Sequence, residues 1–87
     1  MSYQVSLRRV AQKQLDRIVS KDYLVIAEAI SNLIPQPRPP GVKKLVQSGL
    51  WRIRVGRYRV VYSIDDEERN VLIVRVARRT EDTCRGL

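Results

Sequence analysis

Residues 50–64 read Leu50-Trp51-Arg52-Ile53-Arg54-Val55-Gly56-Arg57-Tyr58-Arg59-Val60-Val61-Tyr62-Ser63-Ile64. On each side of Gly56-Arg57 apolar and polar residues alternate, the period of a strand with one buried face. A two-residue connection with glycine first suits a tight hairpin turn, since glycine takes the positive φ demanded at the first central position of a type II′ turn. That turn sets the pairing: Val55 faces Tyr58, Arg54 faces Arg59, Ile53 faces Val60 and Trp51 faces Tyr62. One side of the hairpin then carries Trp51, Ile53, Val55, Tyr58, Val60, Tyr62 and Ile64, and the other carries Arg52, Arg54 and Arg59.

Working outward toward the C-terminus, residues 70–78 are dominated by Val, Leu and Ile and read as a last strand. Alternation places Leu72, Val74 and Val76 on the core side, with Arg75, Ala77 and, if the strand runs on, Arg79 on the arginine side. The two strands agree if the acidic turn shifts the register by an odd count, for instance through a three-residue loop Asp66-Glu67-Glu68 that sets Arg59 opposite Arg75. Five cations, Arg52, Arg54, Arg59, Arg75 and Arg79, then share one face. Directly opposed like charges destabilise a sheet by about 0.2–1 kcal/mol a pair, so a bound anion is expected to offset them.

Toward the N-terminus, residues 42–47 can form a strand and Ser48-Gly49 a turn. Residues 35–41 hold four prolines and cannot continue a helix. Ala11, Leu15 and Ile18 fall on one helical face, as do Tyr23, Ile26, Ala27, Ile30, Leu33 and Ile34, so helices are expected over 9–19 and 21–34 with Ser20 as N-cap of the second. Residues 1–7 alternate with Tyr3, Val5 and Leu7 on one side, a first strand. The order β-α-α-β-β-β-β predicts an α+β fold, a mainly antiparallel sheet with a two-helix N-terminal hairpin packed on one face.

The chain has 87 residues, enough for one core and one domain spanning 1–87. Lys plus Arg number 17 against 9 Asp plus Glu, a net charge of +8. The charge is concentrated: residues 38–64 contain Arg38, Lys43, Lys44, Arg52, Arg54, Arg57 and Arg59 and no acid. A cation-only stretch rich in arginine points to a polyanionic partner, because guanidinium groups match phosphate bidentately. With no histidine and a single cysteine, Cys84, the chain can build neither a Cys/His metal cluster nor a Ser-His-Asp triad, and no metal or cofactor is expected. The N-terminus lacks a signal-peptide apolar run and no stretch approaches the ~18 apolar residues that span a bilayer, so a cytoplasmic protein without a membrane partner is expected.

The block at residues 50–62, the acidic turn after it, Val71-Leu-Ile-Val-Arg-Val-Ala-Arg-Arg79, and the preceding helix hairpin with Lys44-Leu45 together resemble the RelE/ParE superfamily of bacterial toxins over essentially the whole chain. The resemblance implies a small twisted antiparallel sheet with two N-terminal helices on one face. It further implies a RelE-like, metal-independent endoribonuclease that cuts mRNA in the ribosomal A site and is silenced by a cognate antitoxin in a hetero-oligomer. Carried over residue by residue, the active positions are Arg52, Arg54, Arg59 and Arg79. Among the remaining cations, Lys43, Lys44, Arg57, Arg75, Arg78 and Arg85 are expected as further contacts to mRNA and ribosomal RNA. Cys84 stands where the family commonly has a base-stacking tyrosine, and the general acid and base are left unassigned. Two other readings stay open: a ParE-like toxin that poisons DNA gyrase without RNA chemistry, and a non-catalytic RNA-binding module.

Overall fold

The computed structural model of the chain describes residues 2–78, and no helix in them is long and apolar enough to cross a membrane. The elements run β1 (Gln4–Leu7), α1 (Arg9–Asp16), α2 (Ser20–Ser31), β2 (Lys43–Lys44), β3 (Trp51–Val55), β4 (Tyr58–Asp65) and β5 (Asn70–Arg78). They form one five-stranded sheet ordered β1-β5-β4-β3-β2. The sheet is antiparallel except at β1, which pairs parallel with the last strand, Val5 beside Val71 and Leu7 beside Ile73. This is the expected α+β architecture.

Both helices cover one face. Ala11 and Leu15 of α1 with Ile26 and Ile30 of α2 are buried against Ile53, Val55, Val60, Tyr62, Val71, Ile73 and Val76. The second helix starts one residue earlier than expected. Tyr23 N–H donates to the Val19 carbonyl at 2.8 Å, so Val19 is the N-cap and Ser20 lies inside the helix without capping it. Asp22 in the first turn meets the positive end of the helix dipole. After Ser31 the chain tightens, Leu33 N–H donating to Ile30 and Ile34 N–H to Ser31 three residues back, and Pro35 follows where no helix can continue.

The proline segment is strapped across the end of the core. The Tyr62 hydroxyl, fully buried, donates to the Pro37 carbonyl at 2.8 Å, and burial pushes its pKa up to about 12. Beside it the Arg38 guanidinium grips the Asp66 carboxylate at 2.9 Å, and the Tyr3 hydroxyl donates to the same carboxylate at 2.7 Å. Residues 3, 38 and 66 are thereby tied into one clasp.

Two strands depart from their sequence pattern. β2 is two residues long rather than six, because just past the Leu45 N–H bond to the Leu50 carbonyl at 2.7 Å the chain turns: Gly49 N–H, at a residue with φ 73°, donates to the Leu45 carbonyl at 2.9 Å and closes the loop. In β5 the core side carries Val71, Ile73 and Val76, not Leu72 and Val74. Tyr62 pairs with Ile73 but Val61 with Arg75, which leaves Val74 as the extra residue of a β-bulge. The odd register shift is therefore made inside the strand, while the connecting loop is four residues long, 66–69, with Asp65 opposite Asn70.

Candidate nucleic-acid interface

The arginine face begins at the hairpin turn. Gly56 has φ 59° and Arg57 no positive φ, as a type II′ turn requires, and Val55 pairs with Tyr58. Strand alternation then determines which side chains leave the sheet away from the helices. One row across the strands runs Arg54, Arg59, Ala77; the next runs Lys43, Arg52, Val61, Arg75. Lys43, Arg52, Arg54, Arg59 and Arg75 thus lie on one face of four neighbouring strands. Arg59 faces Ala77 rather than Arg75, which sits on the diagonal, because the fourth loop residue and the bulge each move β5 along by one residue relative to a three-residue loop.

The cations differ in solvation. Arg54 and Arg75 are exposed, Arg59 is half-buried, and Arg52 is only 7% exposed. Arginine is seldom buried this deeply. In a less polar setting a fixed positive charge acts on a nearby anion more strongly than at a water-filled surface.

The sequence pattern missed the groove beside these arginines. The 45–50 loop folds over the sheet and, with β4 and β5, encloses about 290 Å³. Its walls are Leu45, Leu50, Val61, Val74 and Ala77; Ser48, Arg59 and Arg75 complete the lining. Val74 is present because of the bulge, and a Val-Leu-Ile-Val run carries no signal for one.

The other candidate residues lie elsewhere. Lys44 pairs with Trp51 and so faces opposite to Lys43; its Nζ lies 5.5 Å from the Trp51 ring centroid, with Arg38 Cζ at 4.8 Å. Trp51 is half-buried under these two cations and packs against the core. Arg38 is committed to Asp66, whose carboxyl is held below its usual range by hydrogen bonds from Arg38 and Tyr3, while the Tyr3 hydroxyl is raised by donating to it. Arg57 is exposed in the turn. Arg78 pairs with Tyr58, on the helix side, near Gln14 and Arg17. Arg79, Cys84 and Arg85 lie outside the described residues.

Comparison with known proteins follows the same lines. The family model described as the ParE toxin of type II toxin-antitoxin systems, parDE, matches residues 5–83. A toxin RelE of Mycobacterium tuberculosis is 36% identical over 81 residues, covering 90% of this chain and 82% of the relative. Among solved structures, the archaeal RelE-RelB complex from Pyrococcus horikoshii superimposes with a TM-score of 0.81 at 29% identity, over 91% of this chain and 97% of that one. The isolated RelE toxin of E. coli has a TM-score of 0.78 at 20% identity, over 99% and 100% of the two chains, and shares the fold.

Proposed function

Because the chain belongs to the ParE toxin family of type II toxin-antitoxin systems, with a RelE toxin among its relatives, we propose that it is a RelE-like endoribonuclease that cleaves mRNA on the ribosome. The single observation that carries this reading is the gathering of Lys43, Arg52, Arg54, Arg59 and Arg75 on one sheet face. A surface that needed only solubility would interleave signs; here the one acidic residue of β4, Asp65, lies six residues from Arg59 and accepts from the Glu67 and Glu68 amides.

In this reading the RNA's own 2′-OH attacks the adjacent phosphorus and the 5′-oxygen leaves. Arg59 and Arg79 hold the scissile phosphate, and Arg52 and Arg54 stabilise the charge that grows on the phosphorane oxygens, the task for which fixed, forked donors are suited. Arginine is a poor proton carrier, with a pKa above about 12, so the face supplies charge stabilisation more readily than acid-base chemistry. Cleavage of free RNA is accordingly slow, and the ribosome accelerates it by orienting the 2′-OH in line. A cognate antitoxin silences the toxin by covering the cationic face with carboxylates, as opposite potentials favour both contact and encounter. A partner of this kind is in keeping with the structural neighbour named above, which was solved as a RelE-RelB complex.

The ParE description of the family favours a second reading, action on DNA gyrase without RNA cleavage. One pair of assays separates them: primer extension on ribosome-bound mRNA and supercoiling by purified gyrase, each with the wild type and Arg59→Ala. Cleavage lost in Arg59→Ala, with supercoiling untouched by either protein, supports the nuclease. Intact mRNA with inhibited supercoiling overturns it, and RNA binding without cleavage leaves only a binding module.

A further inference from the structure

We propose that the groove on the arginine face receives one unpaired nucleobase, its attached phosphate held by Arg59 and Arg75; this rests on reading that face as an RNA site. The groove is built wrongly for a phosphate alone. Leu45, Leu50, Val61, Val74 and Ala77 offer no hydrogen-bonding side chain, and pressing an anion against aliphatic walls strips its water without return. A base is different, because its faces lose little by leaving water while its edge keeps polar groups for the rim. Single-stranded RNA is bound in this divided way, rings against apolar or flat side chains and phosphates on cations.

Size and placement agree with that occupant. The volume of about 290 Å³ sits just below the ~300–1,000 Å³ of small-molecule sites, room for one ring system and not for a stack. Arg59 and Arg75 occupy diagonal positions on adjacent strands, about 7–8 Å apart at the backbone, so a single phosphate can reach both guanidinium groups. The Ser48 Oγ accepts the Leu50 N–H at 3.3 Å, which leaves the hydroxyl hydrogen to offer to an acceptor on the base edge. Arg59 and Ala77 of one row and Val61 and Arg75 of the next line the groove, so the seated base adjoins the scissile phosphate that Arg59 holds, and its identity is read there.

The test compares binding of the full chain to a labelled single-stranded RNA hexamer and to an abasic ribose-phosphate hexamer, by fluorescence anisotropy. The wild type is expected to prefer the RNA by about tenfold, the low end for a stacked base because the walls are aliphatic. Ala77→Leu fills the groove and is expected to bring the two affinities together, with the salt dependence of abasic binding unchanged. If Ala77→Leu does not fold by circular dichroism, Leu45→Ser, a change on the loop wall, carries the test with the same expected loss. Equal affinities in the wild type, or a preference that survives in the folded variant, overturn the proposal. A wild type that prefers the RNA but cuts no ribosome-bound mRNA supports the base groove and sinks the nuclease reading instead.

Discussion

Arg54→Gln is expected to stabilise the fold and weaken the toxin together. Arg54 is exposed and directly opposite Arg59, so its removal takes away a like-charge cross-strand pair and little packing. Such pairs cost about 0.2–1 kcal/mol. A domain this small gains about 4–8 °C in Tm per kcal/mol, which gives a rise of about 1–8 °C at low ionic strength. The gain is electrostatic and exposed, so it is expected to shrink as the Debye length falls from about 10 Å at 0.1 M salt to about 3 Å at 1 M. A double-mutant cycle with Arg59→Gln isolates the pair: the two single gains are expected to exceed the gain of the double variant, because the repulsion can be relieved only once. In the cleavage assay Arg54→Gln is expected to lose about 10²–10³-fold, the cost of deleting one donor aimed at a developing oxyanion. Arg57→Gln, in the turn with no cation across from it, serves as control and is expected to stay within about 0.5 kcal/mol. A lower Tm at low salt, or a gain that persists unchanged at 1 M, would refute the repulsion argument; undiminished cleavage would remove Arg54 from the site.

Tyr62→Phe leaves the buried Pro37 carbonyl without its donor and is expected to cost about 1–3 kcal/mol in a urea titration. The Tyr62 pKa is raised in the fold, so its stabilisation is complete below the ordinary tyrosine value near 10 and fades as pH climbs through about 12; the variant is expected to lack that alkaline loss. Asp66 is depressed, so its contribution is present above the ordinary carboxylate value near 4 and is lost as pH falls through its lowered value, and Asp66→Asn is expected to flatten this acid limb of a Tm-pH profile. Deleting Val74 removes the extra residue of the bulge, and is expected to keep amide-exchange protection at Val71, Ile73 and Val76 while cleavage falls; loss of protection there would show that the bulge is needed to fold.

What was legible in the sequence is what short-range periodicity encodes. The Gly56-Arg57 turn alone specified the Arg54-Arg59 pair, and helical spacing identified Ala11, Leu15, Ile26, Ile30 and Leu33 as core. Lys43 and Lys44 show where counting charge misleads: neighbours along a strand point to opposite faces, and Lys44 goes to Trp51. The clasp of Tyr3, Arg38 and Asp66 joins residues far apart in the chain, and no local pattern announces it. The parallel pairing of β1 with β5 is equally nonlocal, since a four-residue alternation says which side is buried but not which strand lies beside it.

The bulge explains why the candidate site resisted reading more than the fold did. A regular β5 satisfying Ile73 and Val76 on the core side has one residue too many between them, and the core can tolerate that residue only by ejecting it to the other face. Buried apolar positions outweigh a locally disrupted ladder, because each seated Val or Ile contributes about 1.5–3 kcal/mol while the bulge forfeits roughly one hydrogen bond, about 1 kcal/mol net. The ejected residue is Val74, next to Arg75 in β5, and it becomes a wall of the groove that Arg59 and Arg75 also line. Packing on the helix side thus sets the chemistry on the open side: the same register step that keeps Val76 over the core turns a bare row of arginines into cations beside an apolar slot. A substitution that regularises β5 is expected to act on the groove without touching an arginine, which makes the strand's irregularity, and not its charge, the place to separate stability from activity.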